Sequence, residues 1–427
     1  MLKLRYWLIL LIAAYVYGSA LIDNKHEGQY IWSDAEGYFL YLPAVFIHHR
    51  FENIPIRTPG QFANYPGTKK PWIPYTYGVA LMESPFFLMA YVSRWVQKLP
   101  LDNPVANDYS VGLLLAGCFY LTLGLYYLHR TLLRSFRPKA VWFTLAILLF
   151  GTNLLHYAIR QPGMSHIYSF CLVSILLYYL PDFYKKPSIT NTLRVAIPFC
   201  LITLIRPTNI LFFSFIFFFD TYNREDIANR FRWYIRNIRS VLWFPIIGVA
   251  LAIPQMCYWY YLSGSPIFYS YSGGSGSFIY LASPKIYNIF FHLCNGFLIY
   301  SPLMLLALIG MAATAIKNQL NGRAIFALFA VIAYLCASWQ FWWFGGAYGY
   351  RSFIDFYPIL AIGLAYYCSQ LLLPRHRLAF YLHIPIIAFL ILLNMRMDSI
   401  RYYYQVEPDN TYSERYFSAI RKSLWME

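Results

Sequence analysis

Several short stretches of this sequence hold residues able to move protons or grip anions. Ser33-Asp34-Ala35-Glu36-Gly37 presents two carboxylates, separated by one alanine. A carboxylate can act as a general base toward a hydroxyl nucleophile, although a solvated loop acid or a helix cap would look the same. Lys69 and Lys70, in Gly67-Thr68-Lys69-Lys70-Pro71-Trp72, are point charges suited to a phosphate head group. They could equally snorkel beside neighbouring loops. Arg206-Pro207-Thr208-Asn209 interrupts an apolar run, and an arginine at that depth is costly unless it lines a polar cavity. His166 ends Gln161-Pro162-Gly163-Met164-Ser165-His166, as either a ligand-facing group or a packed hydrogen-bonder.

A fifth stretch runs from Trp339 through Trp342, Trp343 and Tyr348 to Arg351. Its aromatic faces suit sugar rings, and its glycines admit close backbone approach. Arg351 and Asp355 stand at the spacing of a helical ion pair. An aromatic belt with a structural ion pair is the plainer reading. Ser272-Gly273-Gly274-Ser275-Gly276-Ser277 lacks the context of a phosphate loop and reads as a flexible loop or lid. No HxxxH or HExxH spacing and no carboxylate cluster points to a metal, and no cofactor is expected.

The elements that must position these residues are apolar. Hydrophobic residues make up 59% of the 427 and charged residues 12%, against about 25% charged in a soluble domain. The apolar residues come in long runs, the mark of helices bathed in lipid. Candidate membrane segments fall near 4–22, 75–97, 109–130, 139–158, 163–181, 194–220, 239–262, 286–311, 324–343, 352–373 and 378–395. The first reads as an uncleaved anchor rather than a signal peptide. All seven cysteines lie inside apolar runs without CxxC spacing, so packing is their expected role and no disulfide is expected. The net charge of +16 is spread through short clusters between the runs. That pattern fits positive-inside loops, and nucleic-acid binding is not expected.

The expected fold class is therefore all-α. It is a polytopic transmembrane helical bundle of about 10–12 membrane segments, some broken or re-entrant. Residues 1–427 form one domain, with a long first outer loop over 23–74 carrying interfacial helices and a short polar tail over 396–427. Basic clusters place the loops near 130–139, 185–194, 224–239, 317–323 and 375–377 in the cytoplasm. The loops at 159–165, 263–285 and 341–351 then join 23–74 outside. Segments 75–97, with Pro85, and 194–220, with Pro207, break the alternation. The second reads as a hairpin whose tip faces a polar site.

This layout resembles the GT-C glycosyltransferases, a superfamily that includes the protein O-mannosyltransferases and lipid A aminoarabinose transferases. The segments TKKPWIPYTYG, MSHIYSF, IRPTN and WWFGGAYGYR are similar to those of uncharacterised bacterial members of this fold. The resemblance implies an inverting transfer from a polyprenyl-phosphate-linked sugar, on the periplasmic face of a bacterial inner membrane. It implies Asp34 or Glu36 as the general base, because members often carry an adjacent Asp-Glu pair that Ala35 splits here. It implies Lys69, Lys70, Arg206 and Arg351 as holders of the lipid phosphate. His166, Tyr75, Trp342, Trp343 and Tyr348 are then candidate substrate contacts. The implied partners are the lipid-linked donor, membrane lipid and an acceptor that is a lipid, a glycan or a protein. The competing expectations are a transporter or flippase of a lipid-linked or anionic solute, and a non-catalytic membrane assembly factor.

Overall fold

The computed structural model describes residues 4–22, 28–58, 62, 64–273, 276–403 and 412–425. Among the described residues every element is helical, apart from an isolated antiparallel bridge between Asn64 and Pro71. The chain opens with α1 (Leu4–Ser19), then the short α2 (Ser33–Phe39) and α3 (Tyr41–Phe46). Next come α4 (Gly78–Val96), α5 (Asn107–Leu132), α6 (Pro138–Phe150), α7 (Leu154–Ile159) and α8 (His166–Lys185). Helix α9 (Ile189–Ile205), a 3-10 turn at Pro207–Leu211 and α10 (Phe212–Phe217) follow. They lead to α11 (Arg224–Arg236), α12 (Ile238–Val241) and α13 (Trp243–Ser263). The remainder is α14 (Ile286–Phe291), α15 (Phe297–Tyr300), α16 (Met304–Ile316), α17 (Gly322–Ser338), a 3-10 turn at Arg351–Phe356, α18 (Tyr357–Leu371), α19 (Arg377–Tyr403) and α20 (Tyr412–Trp425).

Among the described residues five stretches are long and apolar enough to cross a bilayer: Asn107–Leu132, His166–Lys185, Ile238–Ser263, Arg351–Leu371 and Pro374–Ile400. The protein is thus a multi-pass membrane protein. Helices α5, α8 and α18 form the buried centre, and α16 packs closely on α18. That last contact depends on two glycines, because a Cβ on Gly310 would collide with the Gly363 carbonyl. Small residues let helix backbones approach in just this way inside membranes. Helices α13 and α19 lie at the periphery and turn Ile246, Val249, Ile386 and Phe389 outward. An apolar surface this continuous is stable only against lipid.

The loops sort to two ends of the bundle. At one end, here the site end, Trp72 donates to the Ser270 carbonyl at 2.8 Å, Gln340 N–H donates to the Ser277 carbonyl, and Gly163 abuts Ala35. The segments expected outside are thereby gathered together. At the far end Arg134 pairs with Asp182, Ser240 bonds Pro187, and Asn318 bonds Tyr222.

Segment 189–217 is a hairpin. Arg206 is extended (φ −143°, ψ 111°), as a residue before proline prefers, and Pro207 starts the 3-10 turn. Both feet stand beside the end of α8, where Asn191 donates to the Asp182 carbonyl and Tyr184 to the Ile216 carbonyl at 2.6 Å. The tip reaches the opposite end of α8, at His166. Segment 75–97 behaves differently. It forms one unbroken helix, α4, through Pro85. Its partners on α5 run from Asp108, paired with Arg94 at 2.5 Å, to Tyr120, bonded to the Met82 carbonyl. Because α4 runs antiparallel to the first half of α5, it starts beside the hairpin tip and climbs back toward the site end.

Three stretches differ from the sequence reading, the first being run 139–158, which is split into α6 and α7. The apolar run 286–311 is three helices rather than one, interrupted at Asn295, which takes a left-handed φ of 62°, and at Pro302. Within the polar tail, α19 continues to Tyr403 and α20 packs back on it, with Arg396 bonded to the Ser423 carbonyl at 2.9 Å. Gly274 and Ser275, in the flexible loop expected at 272–277, lie outside the described residues.

Candidate active site

Asp34 sits in the first turn of α2, directly after Ser33, whose φ of +53° is unusual for a residue with a side chain. Such a turn is held only by its surroundings, and Glu36 supplies them. Glu36 is 2% exposed. It accepts from Arg57 N–H at 2.5 Å, from Thr58 N–H at 2.9 Å and from the Thr58 hydroxyl. Thr58 Oγ1 in turn accepts from Ser33 N–H at 3.3 Å. Glu36 is therefore occupied in pinning the loop to α2, while Asp34 faces the pocket.

Asp34 Oδ2 accepts from Arg351 Nη2 at 2.6 Å, and Oδ1 accepts from the Tyr75 hydroxyl at 2.6 Å. Tyr75 reaches this position because residue 37 is glycine. A Cβ there would stand 2.6 Å from the Tyr75 ring. The Tyr75 ring lies 4.5 Å from that of Tyr38. Burial, reinforced by the charge of Asp34, holds the Tyr75 phenol well above its ordinary value, so it stays a donor. Tyr38 is raised for the same two reasons, in that order.

A pocket of about 80 Å³ opens beside the pair, lined by Asp34, Arg351, Gln161, Met164, Gly345 and Gly346 among others. Its arginine comes from the 3-10 turn that leads into α18. The side chains of Asp34 and Arg351 keep 18% and 14% of their surface exposed, so a ligand can reach both.

Behind the pocket lies a second polar layer at the hairpin tip. Asp355 is fully buried. His166 Nδ1–H donates to its Oδ1 at 3.1 Å, Asn209 Nδ2 donates to Oδ2 at 3.0 Å, and Arg206 Nη1 stands 3.6 Å from Oδ2. Arg206 also donates to Ser352 Oγ at 3.4 Å. The expected helical pair between Arg351 and Asp355 does not form. Each reaches across the bundle instead, Arg351 to α2 and Asp355 to α8 and the hairpin. Burial also raises the Tyr271 phenol above its ordinary value, with smaller effects of the charges of Asp34, Arg206 and Arg351.

The other candidates lie elsewhere. Lys69 is exposed. Lys70 Nζ bonds the Tyr261 carbonyl at 2.7 Å, in the last turn of α13, and stands 4.0 Å from the Tyr261 ring centre. Trp342 packs edge-on against His292, and the Trp343 carbonyl accepts from Asn295. Tyr348 is buried and donates to Asn394. Tyr38 and Tyr271 were not singled out from the sequence as site residues; Asp355 was read only as a helical partner of Arg351, and Asn209 only as part of the Arg-Pro-Thr-Asn stretch. A third polar group was also missed, in which Asp398 binds His156 and, at 2.9 Å, Arg160.

No protein-family pattern and no curated protein matches the sequence. Solved structures do match the fold. One is the archaeal oligosaccharyltransferase AglB from Archaeoglobus fulgidus in complex with an inhibitory peptide and a dolichol-phosphate. It has a TM-score of 0.52 at 13% identity, covering 96% of this chain and 57% of that one. Another is the Archaeoglobus fulgidus oligosaccharyltransferase in its apo form, with a TM-score of 0.51 at 12% identity and coverage of 97% and 58%. The chain thus spans a little over half the length of these structures. The bundle is similar in fold to the membrane part of these oligosaccharyltransferase structures.

Proposed function

We propose that this protein is an inverting glycosyltransferase that takes a sugar from a polyprenyl-phosphate donor at the membrane surface. The observation that carries the reading is the Asp34–Arg351 pair, a carboxylate and a guanidinium facing one pocket on a GT-C fold. The dolichol-phosphate bound in the AglB structure supports a lipid phosphate as the donor class.

In this reading an acceptor hydroxyl attacks the anomeric carbon from the side opposite the phosphate. Asp34 takes the hydroxyl proton as the new C–O bond forms. The bond from the anomeric carbon to the phosphate oxygen breaks, and its electron pair leaves with the polyprenyl phosphate. Arg351 stabilises that developing charge, since a guanidinium fork can hold a carboxylate and a phosphate oxygen together. Arg206 adds a second positive charge behind Tyr38 and Tyr271. Lys69 and Lys70 draw the anionic head group toward the rim. Tyr75 fixes the Asp34 rotamer, Glu36 fixes the turn, and His166 orders Asp355 beneath Arg206. Trp342 and Trp343 offer faces for the acceptor. The basic far-end loops support a cytoplasmic far end, and with it a pocket on the periplasmic side of a bacterial inner membrane.

The test is release of polyprenyl phosphate by the purified protein from a panel of undecaprenyl-phosphate hexoses, with and without membrane extract as acceptor. Wild type should cleave at least one donor in an acceptor-dependent way, and Asp34→Asn should bind the donor without cleaving it. A wild-type protein that binds or moves the donor but never breaks its sugar–phosphate bond is a transporter or a scaffold, and the reading fails.

A further inference from the structure

The far end of the bundle carries a surface that transfer chemistry does not use. Helix α11 is joined through Asn237 to α12, and α12 runs on into the membrane-length helix α13. On its other flank, α10 ends at Phe217, whose ring lies 4.9 Å from Phe231 and 5.2 Å from Tyr234. Two membrane-inserted elements therefore fix α11 at the depth where lipid tails give way to head groups.

At about 100° per residue, α11 has three sides. The side toward the protein carries Trp233, which packs on Phe183 and Tyr184, and Arg230, whose guanidinium stacks 3.4 Å over the Tyr184 ring. The second side is apolar and bare. Phe231 is 55% exposed, Ile235 74%, and Ile238 in α12 50%. The third carries Arg232, Arg236 and Arg239, all exposed, and Arg224, also exposed, heads the apolar side at the first turn of the helix. The nearby acids are Glu225, exposed, and Asp226, which accepts from Tyr222 N–H at 2.8 Å. The arginines remain in excess.

A bare apolar side beside a guanidinium side is the pattern of a helix that lies in an interface, its isoleucines among acyl chains and its cations among phosphates. We propose that α11 and α12 bind anionic phospholipid head groups and gather them at the end of the bundle opposite the candidate active site. Charge complementarity selects the occupant. Zwitterionic lipid would fill the apolar side equally well but would leave the four arginines without a net counter-charge. A soluble protein partner would cover the arginines without entering the acyl layer that the isoleucines face.

The test uses full-length protein in detergent micelles with mixed phosphatidylglycerol and phosphatidylcholine, counting retained lipids by native mass spectrometry. Wild type should retain phosphatidylglycerol in preference, less so as salt is raised. The exposed quadruple variant Arg224→Gln, Arg232→Gln, Arg236→Gln, Arg239→Gln should lose the preference by roughly tenfold while melting as wild type does. Phe231→Ser with Ile235→Ser should weaken retention of both lipids. Equal retention of the two lipids by wild type, or an unchanged preference in the quadruple variant, overturns the proposal.

Discussion

Asp34 and Arg351 lie 317 residues apart in sequence and meet at 2.6 Å. One comes from a two-turn helix in the first loop, the other from the turn that opens α18. Their contact closes the site end of the bundle and sets the charge of the pocket. If Asp34 is the base, Asp34→Asn keeps the hydrogen-bonding shape and removes the proton acceptor. Turnover should fall by about 10² to 10⁴, with donor affinity nearly unchanged, as measured by single-turnover release and by donor binding.

Arg351→Lys retains a charge but loses the fork. Donor affinity and turnover should both drop, by roughly tenfold or more. Because Arg351 and Asp34 touch, their effects should not add. A double-mutant cycle of Asp34→Asn and Arg351→Gln should return a coupling of about 0.5–3 kcal/mol. Strict additivity would mean that the pair does not act as a unit.

Glu36 accepts three hydrogen bonds while buried. Glu36→Gln replaces one acceptor oxygen with a donor that faces N–H groups. It should cost about 1–3 kcal/mol, seen as a lower melting temperature together with lost activity. Asp34→Asn should lose activity with a much smaller drop. Equal melting shifts for the two variants would contradict the division of labour between these carboxylates.

Removing Arg206 leaves Asp355 buried with less counter-charge. Arg206→Gln should destabilise by about 3 kcal/mol, the lower part of the range for a broken buried pair, because the Arg206 side chain is 20% exposed. Adding Asp355→Asn should recover part of that loss. Thermal melting of the two variants decides it.

Tyr75 lends itself to a pH test. Its folded value is raised above the ordinary 10.0, first by burial and then by Asp34. Folding therefore favours the protonated phenol. That contribution is intact below about pH 10 and is lost as pH climbs through the folded value. The alkaline fall in stability should be shallower in Tyr75→Phe than in wild type. At neutral pH the same variant should lose about 1.5–3 kcal/mol for the bond to a charged acceptor.

Much of the bundle could be read from hydropathy, and the hairpin from Pro207, because proline and a mid-depth arginine leave few alternatives. Asp34 and Arg351 were legible as residue types in suspicious loops, but their pairing was not. Local spacing favoured Arg351 with Asp355, whereas the 3-10 turn sends the two side chains to different partners. The split of roles between Asp34 and Glu36 was hidden for a similar reason, since it depends on Arg57 and Thr58 folding back from a loop with no pattern of its own. Run 286–311 misled because hydropathy does not register a left-handed asparagine. Asp398 was read as part of a polar tail, although it turns inward to His156 and Arg160.

The hairpin also fixes the parity of the chain. It leaves the far end and returns to it, so Ser188 and Thr221 must report the same compartment to a membrane-impermeant label, and every later segment keeps its sense. Counting 189–217 as a single crossing would invert the C-terminal half and assign Asp34 and Arg351 to opposite sides of the membrane. Any tag placed between α10 and α20 to map orientation should be interpreted with that even number of passes in mind.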